Sequence, residues 1–219
     1  MKKIFWLVAL LPLVSVNAQK TELKTFEDSV AYAIGCDIAG GVKQMNIDYN
    51  VLIQGIADFA KNKNIFTPND VKNILTEYQI RQQKGAQEQA EKNIEKGKKF
   101  LAENRNNKSI YQTASGLQYK IVKQGTGNKP KPTDKIKFHY KGSLLDGTVF
   151  DSSYDRGQPL TGNVNQFIKG WIEGLQLMPE GSKYIFYIPS NLGYGNQQAG
   201  AIPPGSVLIF EVELLEIVK

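Results

Sequence analysis

The chain carries one histidine, His139, and one cysteine, Cys36, among 219 residues. That is too little material for a His-rich metal site, an internal disulfide or a Ser/His/Asp triad. Any activity therefore uses little acid–base chemistry, and neither a metal nor a cofactor is expected. Aromatic side chains are the better-supplied resource. Most of them lie from Ser109 onward, together with 14 of the 20 glycines and 7 of the 9 prolines, so the last half of the chain is where short strands, turns and a site are to be sought.

In that half, Leu117-Gln118-Tyr119-Lys120-Ile121-Val122 and Lys135-Ile136-Lys137-Phe138-His139-Tyr140 alternate as strands do. Asp146-Gly147 signals a turn before Thr148-Val149-Phe150, and residues 183–188 and 207–218 supply two further strands. Gly170-Trp171-Ile172-Glu173-Gly174-Leu175-Gln176-Leu177-Met178 reads as a short helix stopped by Pro179-Glu180-Gly181. One helix among antiparallel strands predicts an α+β domain with the sheet wrapped on the helix.

The preceding residues are helical in period. Thr25 with Asp28 three positions on has the form of a capping box, and Val30, Ala31, Ala33, Ile34, Ile38, Ala39 and Val42 follow it on one face. Asp48 or Asn50 can cap a second helix bearing Leu52, Ile53, Ile56, Ala57 and Phe59. Two short helices bury too little surface to stand alone, so a partner is expected, either the next helix or a second copy of the chain. Cys36 in the first helix reads as a small buried apolar residue.

Thr67-Pro68 starts a third helix, whose stripe Val71, Ile74, Leu75 and Tyr78 is expected to pack on the first two. Beyond Tyr78 apolar positions thin to Ala86, Ala90, Ile94 and Leu101, with Glu88–Lys92 and Glu95–Lys99 pairs at i, i+4. This is the pattern of a polar stalk that bridges domains through solvent, with Gly85 and Gly97 as bending points.

Met1-Lys2-Lys3, the apolar run 4–16 and Val16-Asn17-Ala18 have the layout of a cleavable export signal, with cleavage after Ala18. About 13 apolar residues reach only ~20 Å, short of a ~30 Å hydrocarbon core. The net charge of +6 falls to +4 once Lys2 and Lys3 leave, too mild and dispersed for a nucleic-acid partner. The expected organisation is a signal peptide over 1–18, a helical dimerisation domain over 19–66, a connecting helix over 67–108 and an α+β domain over 109–219.

Several blocks of this last domain resemble the FKBP-type peptidyl-prolyl isomerases. They are Phe138-His139-Tyr140-Lys141-Gly142, Asp146-Gly147-Thr148-Val149-Phe150-Asp151-Ser152-Ser153, Ile168-Lys169-Gly170-Trp171, Leu192-Gly193-Tyr194-Gly195, Ile202-Pro203-Pro204 and Leu208-Ile209-Phe210-Glu211-Val212-Glu213-Leu214. The helical amino-terminal half, stalk and export signal further resemble the macrophage-infectivity-potentiator subgroup, whose members dimerise through those helices in the cell envelope.

The resemblance implies a catalytic pocket. Trp171 would form a floor under a prolyl ring, Tyr140, Phe150 and Phe210 walls, and Ile168 a neighbour whose backbone N–H binds a substrate carbonyl. Tyr194 would donate its hydroxyl to another carbonyl. Asp151 would sit at the rim with Tyr140 and Arg156, while Phe167, Ile202 and Leu160 would border bound substrate. Such a site suits a chain poor in acid–base groups. Rotation about an Xaa–Pro amide faces ~18–20 kcal/mol of resonance barrier and requires no proton transfer, only desolvation and tighter binding of the twisted amide.

Two places depart from the family pattern. Pro159-Leu160-Thr161-Gly162 runs where relatives often carry phenylalanines, and Gly162 supplies no apolar area. The loop Asn196-Gln197-Gln198-Ala199-Gly200-Ala201 is polar, with Gln198 near a position where relatives can carry histidine. His139 alternates away from the pocket and is expected to be structural. The leading expectation is a periplasmic or envelope isomerase, homodimeric and acting on proline-containing unfolded or nascent exported proteins, with peripheral envelope association open. The alternatives are a mainly non-catalytic dimeric chaperone and a peptide-binding module on the same fold.

Overall fold

The computed structural model describes residues 22–218. The expected signal peptide lies outside them. The chain divides into two compact units, Met1–Pro68 and Asn69–Lys219.

The described part of the first unit is two helices, α1 (Phe26–Val42) and α2 (Tyr49–Ala60). Thr25 and Asp28 form the reciprocal capping box, and Asp48 caps α2 by accepting from the Asn50 N–H. The Tyr49 hydroxyl donates to the Ala39 carbonyl at 3.2 Å, tying α2 to α1. Neither helix has a buried residue: Tyr32, Ile34, Ile53, Ile56 and Phe59 are all more than half exposed. Cys36 is exposed too, against the expectation of a buried thiol.

All but the first residue of α3 (Pro68–Asn104), unbroken over 37 residues, belongs to the second unit. Glu95 pairs with Lys98 at 2.7 Å rather than with Lys99, and Glu77 binds Arg81. Gly97 is not an exposed bending point but one of two buried positions on α3, the other being Ala90. The carboxy-terminal half of α3 is therefore docked, and the solvent-bridging reading fails there. The Gln118 side chain, buried at the start of β2 (Gln118–Lys123), donates to the Leu101 carbonyl at 2.8 Å and accepts from Asn104 at the same distance.

The sheet adds β1 (Ile110–Gln112), β3 (Lys135–Ser143), β4 (Val149–Ser152), β5 (Leu160–Asn163), β6 (Lys183–Ile188) and β7 (Leu208–Val218). Its pairings are antiparallel in the order β1-β2-β6-β7-β3-β4, with β5 pairing the first half of β3 and β4 the second. β1 and β5 are not legible in the sequence. β1 has three residues, and β5 contains Gly162 and follows Pro159, a composition that reads as turn. Pairing with β3 makes β5 a strand.

The helix α4 (Lys169–Leu175) lies against the sheet with Trp171 and Leu175 buried. Gly170 and Gly174, one turn apart, permit the approach: added Cβ atoms would stand 2.6 Å from Ile188 and 2.7 Å from Phe186. Phe138, Phe186, Ile136, Leu175, Ile188 and Leu208 fill the space between, each contributing about 1.5–3 kcal/mol by leaving water. Among the described residues no helix is long and apolar enough to cross a membrane.

Candidate active site

A cavity of about 490 Å³ opens where α4 meets β3, β7 and the segment between β6 and β7. Strand alternation places Phe138 and Tyr140 on one face of β3, while β7 brings Phe210 opposite Gly142. Gly142 has no side chain to obstruct the rings of Phe150 and Phe210, which meet edge to face at 5.4 Å.

Trp171 lies at the centre of this aromatic group. Tyr140 and Phe210 stand nearly perpendicular to it, at 5.5 and 5.1 Å and 87° in both cases. Phe138 at 5.3 Å and Phe167 at 5.1 Å complete the surround. Edge-to-face rings lock one another's rotamers, so the floor is rigid. The Trp171 indole N–H is buried without a hydrogen-bond partner, a cost the fold retains at the floor of the cavity.

Polar groups gather at one edge. The Tyr140 hydroxyl donates to Asp151, Arg156 forms an ion pair with the same carboxylate, and Arg156 Nη2 donates to the Tyr140 oxygen at 2.9 Å. Burial works to raise the Asp151 carboxyl. The hydrogen bonds from Tyr140 and Arg156, with the Arg156 charge, outweigh it and hold Asp151 below the usual carboxylate value. Burial and the bond to Asp151 push the Tyr140 hydroxyl up. Asp151 is thus an anion and Tyr140 a neutral phenol across the physiological range.

Two groups in the lining have unused bonding capacity. Among the described residues, neither the Ile168 N–H, at the head of α4, nor the Tyr194 hydroxyl has a hydrogen-bond partner. Both can meet a carbonyl oxygen. Among the described residues no cluster of His, Cys, Asp or Glu could hold a metal ion.

Of the residues singled out from sequence, Tyr140, Phe150, Asp151, Ile168, Trp171, Tyr194, Phe210, Phe167, Ile202 and Leu160 all line this cavity. Arg156 does not. It stands behind Asp151 with its guanidinium 5.6 Å from the Tyr140 ring centre. Phe138, Gln166, Ala199, Gly200 and Ala201 line the cavity without having been singled out. Phe138 had a signal, its place two residues before Tyr140 on an alternating strand. Ala199, Gly200 and Ala201 belong to the loop that departs from the family pattern, and Gln166 had no signal.

Ser153 was also overlooked as a support. Buried, it accepts from the Tyr140 N–H at 2.8 Å and bonds His139 Nδ1 at 2.9 Å, which fixes the backbone beneath Tyr140. His139 stacks on Tyr154 at 4.7 Å and is absent from the lining.

A family profile described as "FKBP-type peptidyl-prolyl cis-trans isomerase" matches residues 126–215. Another, "Domain amino terminal to FKBP-type peptidyl-prolyl isomerase", matches residues 27–121. The chain is 43% identical to the FKBP-type peptidyl-prolyl cis-trans isomerase FkpA of Aeromonas hydrophila over 216 residues, covering 93% of this chain and 81% of that one. It is 40% identical to the outer membrane protein MIP of Legionella longbeachae, covering 91% and 89%. The crystal structure of FkpA from Escherichia coli superposes with a TM-score of 0.63 at 32% identity, covering 90% of this chain and 98% of that one.

Proposed function

Because this chain belongs to the FKBP-type peptidyl-prolyl cis-trans isomerase family, we propose that its aromatic cavity binds and twists the Xaa–Pro amide of exported polypeptides. The chain is a peptidyl-prolyl isomerase.

The prolyl ring rests on Trp171 between Tyr140, Phe150 and Phe210, and its burial there strips water from the imide. Water favours the charge-separated resonance form that gives the C–N bond its double-bond character, so desolvation loosens that bond. The Ile168 N–H and Tyr194 hydroxyl hold carbonyls on either side of the proline. The amide can then be bound more tightly when twisted than in either planar isomer. Asp151 orients the Tyr140 wall and faces the amide edge, with Arg156 holding the carboxylate in place. No proton is transferred.

The observation that carries this reading is the rigid set of orthogonal rings around Trp171, with the Ile168 N–H and the Tyr194 hydroxyl in the same lining. Cis-to-trans isomerisation of short Xaa–Pro peptides by the purified chain, alongside Trp171→Ala, tests it. Loss of activity in the variant is expected, and full activity would remove the site assignment.

Three further elements of the reading concern the whole protein. The basic-apolar leader over 1–18 supports export, and the relative named outer membrane protein MIP fits an envelope location. The uncovered apolar residues of α1 and α2 support a homodimer formed through those helices. They also favour a second reading, in which the helices of the dimer hold unfolded chains and the isomerase pocket serves that cradle.

A further inference from the structure

The carboxy-terminal half of α3 turns one narrow stripe toward the sheet domain: Ala90, Asn93, Gly97 and Leu101, at i, i+3, i+7 and i+11. Its first three residues meet Pro204, Gly205 and Val207, and Leu101 meets Gln118. The Asn93 side-chain amide donates to the Pro204 carbonyl at 2.8 Å, and its own oxygen accepts from Gln89 at 3.0 Å, which sets the orientation of the amide. Gly205, at φ +74°, lies so close to the helix that a Cβ would stand 2.4 Å from the Ala90 carbonyl oxygen. A Cβ on Gly97 would stand 2.6 Å from Val207 Cγ2. Clefts of about 280 Å³ and about 740 Å³ border these contacts.

What α3 holds here continues directly into the active site. The Gly205 N–H donates to the Gly195 carbonyl at 2.9 Å, and the Gly195 N–H donates to the Ser190 carbonyl at 2.8 Å. Tyr194 immediately precedes Gly195. Ala199 and Ile202 close the tip of the same segment with two backbone bonds of 3.0 Å, and 199–202 and Tyr194 line the cavity. Apart from the short 3-10 turn Ser190–Leu192, the chain between β6 and β7 has no helix or strand to stiffen it. A connection longer than about 12–15 residues without its own secondary structure samples many conformations unless it is tied down.

We propose that Asn93, Ala90 and Gly97 are positioning residues of the isomerase: through Pro204, Gly205 and Val207 they fix the segment that carries Tyr194 and Ile202 against the prolyl amide. The inference rests on the assignment of Tyr194 and Ile202 to the pocket. A wall that must complement a twisted amide loses its effect when displaced by about an ångström. Loosening the brace lowers the fraction of molecules in the competent arrangement, and activity falls by that fraction.

The test uses the full chain and short Xaa–Pro peptides. Asn93→Leu removes the donor at similar volume, Gly97→Leu wedges α3 away from Val207, and Tyr194→Phe removes the hydroxyl being positioned. Asn93→Leu is expected to lower kcat/KM about fivefold, the factor carried by one ordinary hydrogen bond, with the thermal midpoint close to wild type. The double variant Asn93→Leu/Tyr194→Phe is expected to lose less than the product of the two single losses, because part of the effect of the brace runs through that hydroxyl and the rest through Ile202. A merely structural contact would give losses that multiply. Multiplying losses, or wild-type kcat/KM in both Asn93→Leu and Gly97→Leu, would overturn the proposal while leaving the pocket intact. Full activity in Tyr194→Phe would instead overturn the pocket assignment and the brace together.

Discussion

Gly162 and Phe167 share one space: a Cβ at position 162 would stand 2.9 Å from Cζ of the Phe167 ring. The missing side chain on β5 is therefore room for the aromatic that follows it, and that ring packs on both Phe138 and Trp171. The apolar area that Gly162 does not supply comes from Phe167 instead. Gly162→Val should push the ring inward, lower stability by about 1–3 kcal/mol and raise KM more than it lowers kcat. Denaturant unfolding and steady-state kinetics check this. Unchanged values in both would mean that the two positions are independent.

The rim is separable from the floor. Tyr140→Phe keeps the wall and removes the donor to Asp151, so a modest loss of turnover is expected. Asp151→Leu leaves Arg156 without its carboxylate on a half-exposed edge, and turnover should fall further with the domain still folded. Trp171→Ala differs in kind, because it empties the middle of the aromatic group and should cost about 3–5 kcal/mol of stability as well as activity. Circular dichroism melts beside peptide assays distinguish these outcomes. Asp151→Leu at full activity would remove its role.

The pH dependence follows from the Tyr140–Asp151–Arg156 group. Asp151 is held below the usual carboxylate value, so its contribution is complete above the unfolded pKa and is lost only as pH falls through the lower folded value. Tyr140 is pushed up, so its contribution is present below the ordinary tyrosine pKa and lost as pH rises through the higher folded value. Around neutrality neither Asp151 nor Tyr140 changes its charge. The kcat/KM profile should be flat over about pH 6–8 and fall only in acid or strong alkali. A bell centred near neutrality would require a proton-transfer step that the site does not supply.

The sequence contains two tryptophans, Trp6 and Trp171. A chain beginning after residue 18 keeps only Trp171, so its intrinsic fluorescence reports the floor of the pocket. Titration with a proline-containing peptide should shift or quench that emission, and Phe210→Leu, which removes a perpendicular ring, should weaken the effect. An emission that ignores a peptide which is turned over would place the prolyl ring elsewhere.

The docking of α3 changes where the catalytic unit should be cut. A fragment of residues 113–219 lacks Ala90, Asn93 and Gly97 and leaves Val207 and the Gln118 amide uncovered, whereas Asn69–Lys219 keeps all of these contacts. The longer fragment should melt higher and retain the peptide activity of the full chain. Both fragments should be monomeric by light scattering. Both should lose more in proline-limited refolding of a long client than in the peptide assay, because a dimer tethers the client near two pockets at an effective concentration on the order of millimolar. A monomeric full chain, or equal losses in the two assays, would remove the tethering argument.

Local chemistry wrote much of this protein into its sequence. The capping box at Thr25, the cap at Asp48, the helix start at Pro68 and the alternation of β3, β6 and β7 depend on residues a few positions apart, so they are visible without a fold. The lining aromatics are legible only through resemblance: Tyr140, Phe150, Trp171 and Phe210 sit in blocks that resemble the FKBP-type isomerases, whereas each taken alone reads as sheet core. What stayed hidden depends on partners far along the chain. Leu160-Thr161-Gly162 is a strand only because β3 offers it backbone bonds. Gly97 looks like a weak point in a polar helix until Val207, more than a hundred residues later, is seen to need its space. Ala199, Gly200 and Ala201 line the pocket in a segment where Gly205 bonds the Gly195 carbonyl and lies against Ala90 of α3. Periodicity records which face of an element is apolar, but the identity of the surface it meets is set by chain closure, and only the tertiary structure decides it.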